Sequence, residues 1–429
     1  MPRSPNGRGQ NPSCASPQEI EENLPCSQRS GKGWRCFIKR DGHRAIVAGA
    51  GIFGVSAAIA LSSRGWEVDL VDPGPLPRPE AASTDISKIV RMDYGSDALY
   101  SELMERALPL WRDRNARWRE TLYHHDGFLV LSNGPLQPGG FEHDSLRALE
   151  ARGHAVLRID SGKLAARFPA WEASRYPDGY FNPNAGWVES GRALGRMIED
   201  ARAMGVRVRP GEGVSRWIED GARVGGIVTT SGLRLRGDVV LVAAGAWTPL
   251  LAPQLAQAMW PVAQPVFHLL PRDPAAWRPP RFTVWAADIA TTGWYGFPAN
   301  ASGIVKIANH GPGRRVDPDA PRVIGPGDEQ RLRDFLRESL PALASAPLVS
   351  SKTCLYCDTF DGDFWIGRDP GRPGLAVAAG DSGHGFKFAP VLGDVIADAI
   401  EEKASRFTAR FAWRMPAGRK AEFARWGLS

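Results

Sequence analysis

A short apolar run, Ala45-Ile-Val-Ala48, leads directly into Gly49-Ala-Gly-Ile-Phe-Gly54 and then into a stretch of helix-forming composition, Ile52 to Arg64, that Gly65 ends. Trp66-Glu-Val-Asp-Leu-Val-Asp72 then alternates apolar and polar residues with the period of a strand. Strand, glycine turn, helix and strand together predict a βαβ unit that cradles a nucleotide. Gly49 permits the sharp turn, Gly51 lets backbone N–H groups approach a pyrophosphate, and Gly54 lets the helix close onto the strand. The helix N-terminus contributes partial positive charge, and Asp72 falls where a ribose-binding acid is expected.

Beyond this unit the regular alternation breaks. Gly127 to Ser132 reads as a strand, Gly191 to Met204 as a helix, Val206-Arg-Val208 as a strand, and Val239 to Gly245 as an apolar strand ending in glycine. Trp294 to Pro298 and Gly303 to Ala308 predict paired antiparallel strands. Prolines in 73–79 and 261–280 mark loops. Leu375 to Gly380 repeats the strand-to-glycine pattern and runs through Asp-Ser-Gly-His-Gly-Phe-Lys387 into a helix from Val391 to Lys403. Nucleotide-binding pieces at the beginning, middle and end imply a cofactor domain assembled from discontinuous segments, with the intervening chain forming a substrate domain.

Composition narrows the class. The chain has 429 residues, 43% hydrophobic and 23% charged, which suits two connected globular domains. No apolar run has membrane-spanning length. Residues 1–42 hold seven Lys/Arg against four Asp/Glu, a net +3 that is half of the formal +6. The remainder is mildly basic and lacks a dense basic-aromatic strip, so neither nucleic acid nor membrane is expected as a partner. Residues 1–42 are rich in Pro, Ser, Gly and Asn and lack the apolar core of a signal peptide; they read as a disordered extension. Cys14, Cys26 and Cys36 lie there, leaving Cys354 and Cys357 in the folded part. That is no disulfide framework, and an intracellular setting, cytoplasmic or peroxisomal, is expected. Cys354-x-x-Cys357 alone admits a core thiol, a redox or disulfide pair, or half of a metal site.

Four further motifs occur in order: Ala82-Ser-Thr-Asp-Ile-Ser-Lys-Ile-Val-Arg-Met-Asp-Tyr-Gly95; Tyr295-Gly-Phe-Pro with Lys306 and His310; Lys352-Thr-Cys-Leu-Tyr356; and Ser382-Gly-His-Gly-Phe-Lys-Phe388. With the glycine turn, they make residues 43 to about 415 resemble the flavin-dependent amine oxidases of the D-amino acid oxidase superfamily. The likeness is to the monomeric sarcosine oxidase group and its fungal branch of fructosyl amino acid and saccharopine oxidases. The resemblance implies an α/β fold, α+β overall, with a Rossmann-like FAD-binding domain at 43–125, 187–258 and 345–405. An antiparallel-sheet substrate domain would occupy 126–186 and 259–344, and a C-terminal tail 406–429.

The same resemblance implies FAD bonded covalently to Cys354 and oxygen activation by Lys306, where a fixed ammonium stabilises charge developing on O2. A lysine amid Ile304, Val305, Ile307 and Ala308 is out of pattern for a buried strand, and an outward-facing strand lysine is the lesser alternative. Arg91 and Lys387 match positions that bind the substrate carboxylate or lie beside the flavin; surface charge is the other reading. Tyr295, Tyr356 and His310 match residues of the substrate cavity, where ordinary packing is the alternative. Lys88 stands where sarcosine oxidases carry arginine near the flavin ring; lysine there is more like the fungal branch and counts against sarcosine itself. Cofactor contacts are expected at Gly49, Gly51, Ile52, Phe53, Gly54, Asp72, Ser87, Lys88, Val208, Cys354, Gly383, Gly385 and Lys387. No metal is expected. The expected activity is oxidation of a secondary amine, such as a fructosyl amino acid, saccharopine, pipecolate, sarcosine or an N-methylated intermediate, by a monomer using O2. A nicotinamide-dependent dehydrogenase and a non-catalytic FAD-binding protein are the alternatives.

Overall fold

Arg44–Ala48 is the hub of a six-stranded sheet in the computed structural model, which describes residues 42–416. It pairs in parallel with Glu67–Asp72 on one side and Val239–Val242 on the other. Arg207–Pro210 and Leu375–Ala379 extend the sheet in parallel, and Trp365–Arg368 closes one edge antiparallel. Val239–Val242 and Leu375–Ala379 are buried along their whole length. Unbroken apolar runs suit strands with both faces covered. The expected 1–42 extension, with Cys14, Cys26 and Cys36, falls outside the described residues except for Gly42.

Helix Ile52–Ser63 packs against helix Ala389–Ile400. The crossing is close: a Cβ on Gly393 would lie 2.2 Å from the Ser56 carbonyl oxygen, and Ser56 Oγ donates to the Ala389 carbonyl at 3.1 Å. Helix Ala98–Trp118 starts at Asp97, whose carboxylate accepts from the Leu99 and Tyr100 N–H groups, and contains Pro109. The tail expected from 406 opens with the helix Arg406–Phe411, capped by Ser405 and anchored by buried Phe407 and Phe411.

The second large sheet is mostly antiparallel. Met259–Leu269 runs against Leu348–Thr359 from Met259↔Thr359 to Leu269↔Leu348, and its other flank pairs with Val305–Asn309. Trp294–Gly296 and Val305–Asn309 pair antiparallel as the sequence indicates. Two placements differ from the reading of the sequence. Leu348–Thr359, grouped there with the cofactor segments, belongs to this sheet. The region from Pro261 also begins as strand rather than loop. Pro261 turns its carbonyl toward the Val316 N–H, so its missing N–H faces the same flank. Pro265, in step with it, meets that flank between pairing at Val262–Ala263 and at Val266–Leu269, where the ladder is interrupted. Prolines are tolerated on such a flank. Trp171, Trp277, Trp285 and Trp294 join one buried cluster beneath this sheet.

Gly393→Ala forces a methyl into backbone that cannot retreat. A loss of about 1–3 kcal/mol is expected from such overpacking, read as a lower urea midpoint; an unchanged midpoint would contradict the close helix crossing.

Candidate active site

The glycine turn lies directly on the neighbouring strand end. Gly49 has φ +111°, and a Cβ there would sit 2.4 Å from the Ala243 carbonyl oxygen. A Cβ on Gly54 would sit 1.8 Å from the Gly49 oxygen. Asp72 braces the turn by accepting from the Ala50 N–H at 2.8 Å and the Gly74 N–H at 3.0 Å, while Ser83 Oγ accepts from the Ile52 N–H at 2.9 Å.

From this turn a groove of about 390 Å³ runs past Gly49, Gly51, Ile52, Phe53 and Asp72 to Lys88, Tyr356, Asp381, Gly383 and Gly385. Gly54 lies beneath the groove as a packing glycine. Val208 pairs with Leu70 and packs on the core, and the groove is lined instead by Glu212, Gly213 and Val214 just downstream. A valine on a strand that continues the sheet serves the core; the chain reaches the groove only after that strand ends.

A second cavity, of about 50 Å³, adjoins the groove. Lys88, Arg91, Tyr295, His310, Tyr356 and Lys387 are in its wall. Lys88, Tyr356, Gly383 and Phe386 border both spaces. The Gly383 backbone has φ +82°, and a Cβ there would be 2.3 Å from the Tyr356 ring. The rings of Tyr295 and His310 are 6.5 Å apart and those of His310 and Tyr356 5.7 Å. Burial pushes the Tyr295 phenol above its ordinary value. Lys387 Nζ donates to Tyr94 Oη at 2.7 Å and to the His384 carbonyl at 2.8 Å, and Arg91 lies 4.8 Å over the Tyr94 ring. Both cations are buried, so neither is a surface charge.

Lys306 faces inward, 1% exposed, and lines neither cavity. It lies behind the segment 85–88: its Nζ is 2.8 Å from Asp85 Oδ2, donates to the Ser87 carbonyl at 2.7 Å, and sits 4.8 Å over the Phe297 ring. Ser87 thus acts through its backbone. Burial lowers the Lys306 pKa to about 8, against the upward pull of Asp85. Burial would raise Asp85, but Lys306, His268, Lys88 and Lys352 outweigh it and hold the carboxyl well below the usual range. Reading the sequence missed Asp85 and His268. Asp85 stands inside the motif 82–95, three residues before Lys88, and that nearness was the available signal; His268, on the strand beside Lys306, had none.

Cys354 and Cys357 are unbridged and buried. Residues three apart on a strand point to opposite faces, and here they enter different clusters: Cys354 with Val266 and Tyr356, Cys357 with Trp260 and Trp365. A disulfide or shared metal between them is incompatible with that geometry. Cys354 lines neither cavity; its Sγ lies 3.7 Å from the Nζ of Lys88, which borders both. Burial pushes the Cys357 thiol far up, leaving an inert core residue. Asp381 accepts from the Cys357 N–H at 3.0 Å and the Gly383 N–H at 3.2 Å, and burial raises its carboxyl to about 6 despite both bonds. Among the described residues no group of three or more His, Cys, Asp or Glu could hold a metal ion, and no helix is long and apolar enough to cross a membrane.

Residues 44–399 match the family model described as FAD dependent oxidoreductase, DAO. The chain is 27% identical over 380 residues to monomeric sarcosine oxidase of Bacillus sp. (strain B-0618), covering 87% of this chain and 96% of that one. It is 29% identical over 369 residues to N-methyl-L-tryptophan oxidase of Salmonella arizonae, covering 84% and 95%. The crystal structure of fructosyl amine:oxygen oxidoreductase (Amadoriase I) from Aspergillus fumigatus superposes with a TM-score of 0.73 at 26% identity, covering 88% and 91%. Fructosyl peptide oxidase from E. terrenum shares the fold, with a TM-score of 0.77 at 20% identity, covering 89% and 94%.

The raised Asp381 pKa fixes a pH signature. Between the ordinary carboxyl value near 3.9 and about 6 the folded state holds more proton than the unfolded, so stability falls as pH rises through that window and levels above it. Asp381→Asn lacks this loss. Its melting temperature relative to wild type should climb from about pH 4 to pH 6 and then stay constant; a difference identical at pH 5 and pH 7 would remove the assignment.

Proposed function

We propose, on the premise that this chain belongs to the FAD dependent oxidoreductase (DAO) family, that it oxidises an N-substituted amino acid. It is an FAD-dependent oxidase acting on CH–NH donors. The observation that carries the substrate reading is the joining of a dinucleotide-sized groove to a cavity bearing Arg91 and Lys387, with Lys88 and Tyr356 at the junction. The groove suits FAD on the chain's own residues: the turn at Gly49 and Gly51 offers bare backbone to a pyrophosphate, and Gly383 leaves no room for a side chain where Tyr356 abuts. A nicotinamide dehydrogenase accounts for less, because residues 44–399 match an FAD-dependent family, and a non-catalytic binder leaves the second cavity's buried cations without a purpose.

When bound, FAD accepts two electrons from the C–H bond beside the substrate nitrogen and passes them to oxygen, the products being imine and hydrogen peroxide. Arg91 and Lys387 hold the substrate carboxylate and so orient the reacting carbon. Tyr295, His310 and Tyr356 wall the cavity, exclude water and disfavour the charged amine. Lys306 supplies fixed positive charge for oxygen reduction, and Cys354 tethers the cofactor. The substrate is a secondary amine beside a carboxylate, drawn from fructosyl amino acids, saccharopine, pipecolate, sarcosine and N-methylated relatives, and the enzyme acts as a monomer.

Three measurements test this. Peroxide release across a panel of these amines should single out one class; none above background overturns the reading. On a denaturing gel the flavin colour should stay with the polypeptide, and Cys354→Ser should lose it while the folded chain still binds FAD. Lys306→Met should slow reaction with oxygen by roughly 10²–10³, the scale of one removed transition-state charge contact, with reduction by the amine spared; undiminished oxygen reactivity removes that role.

A further inference from the structure

Asp85 is an acid that packing alone does not call for. Its side chain is 2% exposed, and three lysines surround it. Oδ2 faces Lys306 Nζ at 2.8 Å; Oδ1 is 3.8 Å from Lys352 Nζ and 3.2 Å from His268 Nε2. Lys88 is near enough to pull the carboxyl down. Behind it, His268 Nδ1 lies 2.6 Å from Ser350 Oγ on the paired strand, in register His268↔Ser350. His268 is also the strand partner of Lys306. Two neighbouring strands thus deliver the amine and the imidazole to one carboxylate, and Lys352 reaches it from the strand that carries Cys354.

A lysine this deep has reason to shed its proton. Burial and the charge of Lys88 both act against the ammonium, while Asp85 and the more distant Cys354 favour it. Tyr295 lies within reach of both Lys88 and Asp85. Removing one member of a buried pair leaves the other uncompensated, and the neutral amine is then the cheaper form.

We propose that Asp85 is a positioning residue: it holds Lys306 charged and fixed against the Ser87 carbonyl, and His268 with Ser350 fixes the carboxylate in turn. The purpose assigned to it rests on the reading of Lys306 as the cation that serves oxygen. Asp85 touches no substrate; it acts through the lysine.

The test uses the FAD-loaded enzyme and two readouts. Isotope labelling of the lysine side chains, with the 15Nζ signal of Lys306 assigned by its loss in Lys306→Met and followed by NMR from pH 6 to 11, reports the proton on that buried amine independently of turnover. In Asp85→Asn the titration midpoint should fall by about one pH unit or more, with Asp85→Glu restoring most of it and His268→Gln lowering it less. Separately, reaction of the reduced enzyme with oxygen should slow in Asp85→Asn by about fivefold or more at pH 8 and recover toward pH 6, while reduction by the amine is kept. If Asp85→Asn fails to fold, His268→Gln carries the same comparison. A wild-type titration midpoint in a folded Asn or Gln variant overturns the proposal. Full oxygen reactivity in Lys306→Met overturns the oxygen reading instead, and with it the purpose given to Asp85, whatever the titration shows.

Discussion

The site depends on one pairing, that of Leu348–Thr359 with Met259–Leu269 along almost their entire lengths. Because side chains alternate across a strand, a single ladder places Tyr356 in the wall of both cavities, keeps Cys354 on the same side and sends Cys357 into the opposite core. A one-residue slip would exchange these faces. The long register, continued on the other flank by Val305–Asn309, therefore fixes at once where Cys354, the shared tyrosine and the buried lysine stand.

Charge is the second constraint. Lys88, Arg91 and Lys387 approach a space whose walls are otherwise largely aromatic and apolar, and Lys306 stands buried behind the segment 85–88. Isolated cations in such surroundings are costly. Each is given neighbours: Cys354 Sγ for Lys88, Asp85 and the Ser87 carbonyl for Lys306, Tyr94 and the His384 carbonyl for Lys387, the Tyr94 and Phe141 rings for Arg91. The result is a cluster of buried cations held in place by the scaffold.

Local signals made the first βαβ unit, the strand-to-glycine segments and the Trp294/Ile304 hairpin legible, since each rests on short-range periodicity and glycine placement. Lys306 was readable because a lysine amid Ile304, Val305 and Ile307 is out of pattern. What escaped was non-local. Helix Ala98–Trp118 hides behind Pro109 and a run of charges, and the strand at Met259 behind two prolines that face an interrupted flank. Asp85 and His268 are separated by 183 positions and acquire meaning only when the sheet brings them within 3.2 Å. Val208 shows the converse, a local match whose side chain the sheet claims for its core.

Because Lys88, Tyr356, Gly383 and Phe386 form a common wall, the two compartments cannot drift apart in sequence: a change there alters what both contain. Selectivity for new amines has room to diversify at residues confined to the smaller cavity, such as the apolar Ile89, Ile289 and Phe297, which the larger groove does not touch. A scaffold divided this way can trade one nitrogenous guest for another through a handful of apolar exchanges while the redox machinery beneath stays unaltered.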